Sequence, residues 1–394
     1  MTSPRPTGTA YAHYLDRAAT SAARDRMRAA YAGAIGRPRT DLATPALLLD
    51  LPAARRNIAL MAERIAHLPA GIRPHIKVHK SPELARMQVD AGALGVSTAT
   101  VWEAVEMAAA GLDDILVANT VVGSAKIDVL VQLAASRRIL VAVDDITNAR
   151  ALSAAAHAAG TKLGVLIEVD TGMDRAGVDD PDEAIELARE LADMPGLELE
   201  GLTGYEGHCS LTPDYAERAR KQKKAMATLV ETADRLIDDG IGIRILSAGG
   251  TATWEMAASN PRITEIQAGS YVVMDNFHGR MVPEFEKALT VSTTVVSRRK
   301  DRVIVDAGSK SIGAPDLVSV VGYDLRVLRF DEEHGIFVAE GLEPLGVGDV
   351  VELVPGYGPS TVNLFDVYHV VEDGVVVDIW PISPRGPGHG GLLS

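Results

Sequence analysis

The sequence is poor in cysteine, in aromatic residues and in positive charge, and these shortages exclude several classes of protein. The only cysteine among 394 residues, Cys209, cannot form an internal disulfide, which is typical of proteins in reducing compartments. Asp and Glu outnumber Lys and Arg by 53 to 39, and the resulting net charge of −14 argues against nucleic acid or an anionic membrane as a partner. No run of 18 apolar residues occurs, and the N-terminus lacks the apolar segment of a secretory signal. We therefore expect a soluble, cytoplasmic protein.

The chain is rich in small and aliphatic residues, which alternate between strand and helix patterns. Apolar residues make up 47% of the sequence and aromatics only 4%, a mixture that suits Ala-rich helices packed on Val- and Ile-rich strands. Eight strand candidates occur at residues 73–77, 95–99, 114–119, 139–145, 162–170, 199–207, 244–250 and 265–270. A helix-length segment follows each of them before the last. This pattern predicts a parallel (β/α)₈ barrel, with a doubly wound sheet as the structural alternative.

The pattern changes after residue 286, where apolar and polar residues alternate between Gly- and Asp-containing turns. Such alternation is typical of antiparallel strands with one solvated face. We expect a helical extension at residues 1–40, the barrel at 41–285 and a C-terminal antiparallel β domain at 286–394. The apolar strand at 46–51 is expected to join the C-terminal domain.

Two lysines alternate with two histidines in "RPHIKVHK", at the end of the first candidate strand. Active sites of (β/α)₈ barrels lie at the C-terminal ends of the strands. Because alternate residues of a strand point the same way, Lys77 is expected to share the inward face with His75 and His79. Lys80 is expected in the following loop or helix, so Lys77 is the better candidate for chemistry. A solvated surface patch is the alternative.

Glycine-containing stretches follow the seventh and eighth candidate strands. The residues that offer amides, hydroxyls or close backbone approach there are Gly249, Gly250, Thr251, Gln267, Gly269, Ser270 and Tyr271. Loops at these positions often bind phosphate in such barrels, with ordinary turns as the alternative. A phosphate site opposite a strand-end lysine predicts pyridoxal 5′-phosphate, whose aldehyde forms a Schiff base with a lysine of lowered pKa.

Taken in chain order, the motifs resemble those of the D-threonine aldolase and D-serine dehydratase group of fold-type III pyridoxal-phosphate enzymes, relatives of the alanine racemases. The matching stretches include "RPHIKVHKSPELARMQ", "IEVDTGMDRAGV", "GYEGH", "GGTAT" and "QAGSYVVMD". The resemblance implies a homodimer with active sites at the interface, Lys77 as the Schiff-base lysine and Arg175 near the pyridine nitrogen. It also assigns these residues to the cofactor pocket: Tyr205, Gly250, Thr251, Gly269 and Ser270.

One motif departs from the family pattern. Members with aldolase or dehydratase activity typically carry "PGHCDPTVN" or a close variant, in which the His and an Asp or Cys two residues on bind a divalent metal. Here the stretch reads "PGYGPSTVN", so Tyr357 and Pro359 replace the two ligands. Neutral tyrosine is a poor metal ligand and the proline side chain is none, so we expect no metal at this position.

The expected activity is a pyridoxal-phosphate-dependent retro-aldol cleavage of β-hydroxy-α-D-amino acids to glycine and an aldehyde. In place of the metal, His208 after the sixth strand is the first candidate to take the β-hydroxyl proton, and Tyr357 is the second. His75 is expected to orient Lys77. The alternatives are a D-serine dehydratase-like β-elimination, a racemase or epimerase with Lys77 and Tyr357 as opposed bases, and a cofactor-binding protein without catalysis.

Overall fold

Two β-sheets, one parallel and one largely antiparallel, form the framework of the described part of the chain. The structure is a computed structural model and describes residues 16–339 and 344–387. Helix α1 (Arg17–Tyr31) precedes both sheets, and the first strand, β1 (Ala46–Asp50), belongs to the antiparallel one. Among the described helices, none combines the length and the apolar character needed to cross a bilayer.

Eight parallel strands close into a barrel. They are β2 (Gly71–Ile72), β3 (Val96–Thr98), β4 (Asp114–Thr120), β5 (Arg138–Val143), β6 (Leu163–Glu168), β7 (Leu197–Gly204), β8 (Ile245–Ala248) and β9 (Glu265–Ile266). The hydrogen-bonded order is β2-β9-β8-β7-β6-β5-β4-β3, and a parallel bridge between His75 and Ser97 joins its two ends. The expected (β/α)₈ barrel is confirmed, and the doubly wound sheet is excluded because an open sheet would leave two unpaired edges.

Helices return the chain between the strands and cover the outside of the barrel. They are α2 (Leu51–Ile65), α3 (Pro82–Asp90), α4 (Val101–Ala109), α5 (Ser124–Leu133), α6 (Ile146–Ala159), α7 (Pro181–Ala192), α8 (Tyr215–Asp238) and α9 (Trp254–Ala258). Asp145 and Asp180 cap α6 and α7, because each carboxylate accepts hydrogen bonds from backbone amides two and three residues further on. The apolar helix faces and outward-pointing strand residues such as Ile115 and Val117 belong to the main core.

Strand alternation decides what fills the inside of the barrel. Leu116, Leu140 and Leu166 form a small cluster of their own, separate from the main core. Side chains two residues further along a strand point the same way. Ala118 and Glu168 accordingly reach the C-terminal mouth of the barrel, where both line a cavity. The barrel is therefore packed below and open at the end that carries the active sites of this architecture.

The second sheet contains nine strands. Besides β1 they are β10 (Leu289–Arg299), β11 (Arg302–Val305), β12 (Ser319–Val320), β13 (Leu325–Phe330), β14 (Gly335–Ala339), β15 (Val350–Val354), β16 (Val367–Glu372) and β17 (Val375–Pro381). β1 pairs antiparallel with β10 and parallel with β16, so a strand from before the barrel is part of this sheet. Two further short helices are α10 (Asn276–Gly279), which precedes β10, and α11 (Gly358–Val362), which lies between β15 and β16. Helix α11 contacts the barrel turn at Ile76–Val78.

A network centred on Arg24 fixes helix α1 to the barrel and to the C-terminal segment. The guanidinium donates to Oε1 of Glu106 at 2.6 Å, to the carbonyl oxygen of Pro381 at 3.1 Å and to the carboxylate of Glu83. Glu106 is buried, and this burial raises the pKa of its carboxyl. Of the predicted extension at residues 1–40, positions 1–15 lie outside the described residues.

An Arg24→Ala variant is expected to lose about 3 kcal/mol of unfolding free energy at pH 8, because Glu106 stays buried without its cation. Arg28→Ala on the same helix breaks a more exposed bridge to Asp378 and should cost less than about 1 kcal/mol. Because burial raises the pKa of the Glu106 carboxyl, its ionised form destabilises the folded protein at pH values above the carboxyl pKa of the unfolded chain. The stability lost in Arg24→Ala should therefore become smaller as the pH falls to 5 and Glu106 takes up a proton. Urea unfolding at both pH values measures the two variants, and equal losses would contradict the special role of Arg24.

Candidate active site

A cavity opens at the C-terminal ends of the barrel strands and, together with the solvent at its mouth, encloses about 730 Å³ of empty space. Its lining comes from the turn after β2, from β4, from the ends of β6, β7 and β8, from the loops that follow β6, β7, β8 and β9, and from the regions of α10 and α11. All of the predicted site residues line it except His208 and Tyr271. The cavity therefore brings together residues that lie up to almost three hundred positions apart in the chain.

Lys77 lies in a 3-10 turn, Ile76–Val78, shortly after the first barrel strand. Its side chain is half-buried, and Nζ lies 5.6 Å from the centre of the Tyr205 ring. Burial lowers the pKa of Lys77, against the opposing effect of the Glu103 carboxylate, and the charge of Arg175 lowers it further. A lysine with a lowered pKa supplies the neutral amine that attacks an aldehyde at a lower pH than an exposed lysine does.

Lys80, the second lysine of the motif, is engaged elsewhere. Its ammonium group forms a buried ion pair of 2.5 Å with Oε1 of Glu103, and its backbone adopts a left-handed φ of 54°. Lys80 does not line the cavity, whereas Lys77 does. The two lysines, only three positions apart, therefore have different environments and different uses.

The two histidines of the motif separate: Lys77 and His75 line the same cavity, as expected, whereas the expectation that His79 joins them is wrong. The chain leaves the extended conformation at Ile76–Val78, so strand alternation does not continue. The His79 ring accepts the Ser81 amide at Nδ1, and its Nε2 lies 3.2 Å from the side-chain oxygen of Gln88, outside the cavity. His75 lines the cavity, and burial holds its pKa well below the ordinary value.

The loop after β8 is held in place by a buried carboxylate. Glu206 accepts the Gly249 amide at 3.1 Å and the Thr253 hydroxyl at 2.5 Å. Gly249 has a φ of 75°, which L side chains adopt at a cost. The hydroxyl of Thr251 is buried and has no hydrogen-bond partner within the described residues. The loop thus presents a free hydroxyl to the cavity.

The segment after β9 approaches the first strand closely. A Cβ atom on Gly269 would lie 2.2 Å from the carbonyl oxygen of His75, so only glycine fits without a shift of the backbone. Gln267 donates to the hydroxyls of Thr203 at 3.2 Å and Ser247 at 3.0 Å, which fixes it across the barrel mouth. Ser270, at the start of the next 3-10 turn, completes the lining on this side.

Tyr271 does not belong to the cavity, although the sequence predicts it there. Its ring is buried against Phe285, with 5.5 Å between the ring centres, and its hydroxyl accepts a hydrogen bond from Nε2 of Gln88 at 2.8 Å. The 3-10 turn at Ser270–Val272 directs successive side chains to different sides, so Ser270 faces the cavity and Tyr271 the core.

Tyr205 forms one wall of the cavity. Arg175 lies over its ring, 5.8 Å from the ring centre, and Cε2 lies only 3.0 Å from where a Cβ on Gly250 would be. Burial raises the pKa of Tyr205 to about 12, so the phenol is neutral at physiological pH. Lys77, Tyr205 and Arg175 therefore line the same region of the cavity.

Glu168 is a cavity residue that the sequence analysis missed. One carboxylate oxygen lies 3.7 Å from Nη2 of Arg175, and the other is buried without a partner within the described residues. Burial raises the pKa of Glu168, although Arg175 lowers it. Strand alternation was the available signal, because Glu168 stands two positions after the inward-pointing Leu166.

His278 is the second missed residue, and it lies beside Tyr357. The two rings stack with their centres 5.9 Å apart and their planes at 23°. Nδ1 of His278 lies 2.8 Å from Oδ1 of Asp275, whose other oxygen accepts the Gly358 amide at 2.8 Å. Burial raises the pKa of Tyr357. In the sequence, His278 follows the recognised stretch "QAGSYVVMD" by three residues, and that proximity was the only signal.

His208, the first candidate for the base, is not brought into the cavity lining. It lies in the 3-10 turn Gly207–Leu211, and its backbone amide donates to Sδ of Met173 at 3.0 Å. Its ring lies next to Gly172, where an added Cβ would come within 3.1 Å of Cε1. The turn therefore directs His208 toward the loop after β6.

The donors around Tyr357 do not suit the divalent metal of the family pattern. Tyr357 and Pro359 stand at the two ligand positions, and both oxygens of Asp275 already accept N–H hydrogen bonds. Throughout residues 16–339 and 344–387, no three His, Cys, Asp or Glu side chains are grouped closely enough to hold a metal ion.

The same cavity does fit pyridoxal phosphate. Three of its polar atoms are buried without partners within the described residues: Nδ1 of His75, Oε2 of Glu168 and the hydroxyl oxygen of Thr251. Buried polar atoms are normally satisfied, so three in one cavity indicate a missing polar ligand. Lys77 would supply the amine for the aldehyde, and the loops that contain Gly250 and Gly269 bring backbone to the lining, where amides can bind a phosphate.

Comparison with protein families divides the chain into two matching parts. Residues 49–276 match the N-terminal domain of alanine racemase, and residues 288–371 match a putative serine dehydratase domain. The two matches together cover most of the chain. Their boundary falls between the last barrel residues and the second strand of the antiparallel sheet, β10.

Individual proteins match over nearly the full length. D-threonine aldolase from an Arthrobacter species is 38% identical over 361 residues, which cover 89% of this chain and 95% of that protein. 3-Hydroxy-D-aspartate aldolase from Paracoccus denitrificans strain Pd 1222 is 35% identical over 90% of this chain and 95% of its own length. The crystal structure of D-threonine aldolase from Filomicrobium marinum superposes with a TM-score of 0.86 at 35% identity, covering 89% of this chain and 98% of that one.

Proposed function

The chain belongs to the D-threonine aldolase and D-serine dehydratase family of pyridoxal-phosphate-dependent lyases, and we propose that it cleaves β-hydroxy-D-amino acids by a retro-aldol reaction. The products are glycine and the aldehyde derived from the substrate side chain. The observation that carries the proposal is that Lys77, with its lowered pKa, lines a cavity rich in unpartnered polar atoms, in a chain that resembles aldolases over nearly its whole length.

Each part of the cofactor has a matching set of residues in this proposal. Lys77 would hold the aldehyde end of the cofactor through its amine. The phosphate is bound by the hydroxyls of Thr251 and Ser270 and by the backbone near Gly250 and Gly269. When bound, the cofactor draws electrons from the bonds to the substrate's Cα, and this is the chemistry it supplies.

Arg175 is assigned to the pyridine nitrogen, beside the wall formed by Tyr205. A guanidinium stays charged at any physiological pH, so it donates a hydrogen bond and keeps the ring nitrogen unprotonated. The ring is then a weaker electron sink, which favours reactions that limit the lifetime of negative charge at Cα. The Glu168 carboxylate, 3.7 Å from Nη2, and the Tyr205 ring lie on the cavity side of this guanidinium.

We further propose that the reaction needs no divalent metal at the position used by the family pattern. The ground is the donor set, since Tyr357 and Pro359 replace a histidine and an acidic or thiol ligand. We also propose that the protein works as a cytoplasmic homodimer with active sites at the interface, as the family resemblance and the single buried cysteine suggest.

β-Elimination is the second candidate reaction, because a D-threo-3-hydroxyaspartate dehydratase from a Delftia species is 30% identical over 86% of this chain. It starts from the same substrates but releases ammonia and a keto acid. Racemisation would exchange the hydrogen at Cα without breaking the carbon skeleton. Product analysis therefore separates the three reactions.

The decisive experiment incubates the holoenzyme with the D and L forms of threonine, phenylserine and 3-hydroxyaspartate, each with EDTA or with Mn²⁺. Glycine and an aldehyde from the D forms, at equal rates in both conditions, are the expected result. Ammonia and keto acid would replace the aldolase by a dehydratase. Activity that EDTA abolishes and Mn²⁺ restores would reject the metal-free reaction.

Thr251→Val is expected to weaken pyridoxal-phosphate binding about 10- to 100-fold, because one hydrogen bond to a charged phosphate is lost in a buried site. Its unpartnered, buried hydroxyl is the reason for choosing this residue. Fluorescence titration of the apoenzyme measures the dissociation constant. Thr40→Val, an identical change at an exposed position outside the cavity, is the matched control, and the same affinity in both variants would contradict the phosphate assignment.

A further inference from the structure

We infer that His278 is the catalytic base that takes the β-hydroxyl proton of the substrate, an inference that rests on the proposed aldolase function. His278 lines the cavity at its junction with the second sheet, on helix α10. Three neighbours hold its ring in place: Asp275 through a hydrogen bond, Tyr357 through ring stacking, and Phe277 through an edge contact. The centres of the Phe277 and His278 rings are 5.1 Å apart. An imidazole held in this way has one nitrogen bound and one nitrogen left for a ligand.

Asp275 determines which nitrogen is left. Its Oδ1 receives both the backbone amide of His278 and Nδ1, each at 2.8 Å, so the proton of the neutral ring lies on Nδ1. Asp275 is completely buried, and its other oxygen is fixed by the Gly358 amide, so it cannot turn away. In the neutral ring Nε2 of His278 is therefore the nitrogen that accepts a hydrogen bond, the arrangement by which a carboxylate orients a histidine base.

Tyr357 gives the substrate hydroxyl a second partner. Its ring stacks on His278, and burial raises its pKa, so the phenol keeps its proton and acts as a hydrogen-bond donor. A hydroxyl group that donates to Nε2 of His278 can accept from Tyr357 at the same time. Together the two side chains place a substrate oxygen, the task that a metal would otherwise perform.

The other candidates in the cavity are less suited to this step. His75 lines the cavity, but burial and the charge of Lys77 hold its pKa well below the ordinary value, which makes it a weak proton acceptor. Lys77 itself is committed to the cofactor. His208 does not belong to the lining. Of the two described histidines in the cavity, His278 alone is oriented by a carboxylate.

The step balances without another reactant. Nε2 of His278 accepts the proton of the β-hydroxyl, and the electrons of that O–H bond form the new C=O bond of the aldehyde. The Cα–Cβ bond breaks and its electron pair stays at Cα, a charge that pyridoxal phosphate would stabilise when bound. A proton taken up from solvent adds at Cα to give glycine, and the protonated His278 returns its proton to solvent when the aldehyde leaves.

The test compares His278→Phe and His278→Gln with wild-type holoenzyme on D-phenylserine. Phe keeps an aromatic ring against Tyr357, whereas Gln keeps a polar group. Both variants should lose about 10²- to 10⁴-fold in kcat with KM changed less than about threefold, the usual range for removal of a general base. Melting temperature and the cofactor absorption band should match wild type, which shows that the site still folds and loads.

A second readout separates catalysis at the hydroxyl from simple damage to the site. Glycine exchanges its Cα hydrogen with deuterium from D₂O by the reverse of the final protonation step, and this involves no β-hydroxyl. Both variants should keep this exchange within about threefold of wild type while C–C cleavage collapses. Equal loss of exchange and cleavage would overturn the assignment in favour of a structural role.

The remaining outcomes are equally decisive. His157→Gln, at an exposed position on helix α6, is the control and should leave cleavage unchanged. Cleavage that survives in His278→Phe but collapses in His208→Phe would overturn the inference and leave the aldolase proposal standing. A wild-type enzyme that cleaves none of the β-hydroxy-D-amino acids would reject the aldolase proposal itself, before any variant is compared.

Discussion

Replacing Lys77 with alanine is expected to abolish covalent attachment of pyridoxal phosphate and to reduce cleavage by on the order of 10⁴-fold or more, as removal of a covalent catalyst does. Lys77 lines the cavity within 5.6 Å of the Tyr205 ring centre, and burial lowers its pKa. The lowered pKa has a second consequence, since the neutral amine forms at lower pH. Reconstitution of the wild-type apoenzyme should therefore proceed at neutral pH faster than attachment to an ordinary exposed lysine.

The neighbouring lysine provides the matched control. Lys80→Arg preserves the positive charge opposite the buried Glu103, so the ion pair and the fold are retained, and covalent attachment should be unchanged. Borohydride reduction followed by peptide mass spectrometry locates the modified lysine, and absorption spectra follow loading. A reduced adduct on the protein of the Lys77→Ala variant would reject Lys77 as the attachment site.

The barrel was predictable from the sequence because eight short Val- and Ile-rich segments alternate with helix-length ones. The first strand was placed too late, at residues 73–77, although β2 ends at Ile72. Arg73 makes buried ion pairs with Glu265 at 3.0 Å and Asp114 at 2.7 Å, and Pro74 has no amide for a ladder hydrogen bond. The chain at Arg73 is thus held by ion pairs to residues far away in the sequence. Such long-range contacts leave no periodic pattern from which the end of the strand could be predicted.

The lysine was identified correctly as a cavity residue by reasoning that was partly wrong. Position after a barrel strand was a sound criterion, whereas alternation along the strand failed because the chain turns at Ile76–Val78. The 3-10 turns at Gly207–Leu211 and Ser270–Val272 had the same effect on His208 and Tyr271. Irregular turns at the ends of strands decide in which direction the following side chains point. Amino-acid propensities do not predict where such a turn begins or how far it rotates the chain.

His278 and Tyr357 show a second limit of sequence reasoning. They lie 79 positions apart in the sequence, His278 shortly after the last barrel strand and Tyr357 between two strands of the second sheet. The hydrogen bond from the Gly358 amide to Asp275 holds the two segments together, and the two rings stack there. Nothing in local composition encodes such a meeting. Glu168 is a different case, because inward alternation after Leu166 was visible in the sequence and would have found it.

Gly269→Ala is expected to have the second largest effect on activity. At this position the backbone of Gly269 packs directly against the backbone of His75, so neither side can make room by turning a side chain. The added Cβ would lie 2.2 Å from the carbonyl oxygen of His75, so the backbones after β2 and β9 must separate. This movement would shift the amides proposed to bind the phosphate on one side and the Lys77 turn on the other. We expect roughly 1–3 kcal/mol less stability and, because small displacements of reacting groups are costly, about 10²-fold lower kcat.

Thermal melting, cofactor titration and D-phenylserine cleavage measure these losses separately. Gly242→Ala, at a glycine whose Cβ would meet nothing within 4 Å, is the matched control and should stay within about 0.5 kcal/mol of wild type with full activity. A movement that only weakens the fold would lower the melting temperature alone. A Gly269→Ala enzyme with a normal cofactor affinity and a normal kcat would show that the approach of Gly269 to His75 does not position Lys77 for its proposed role.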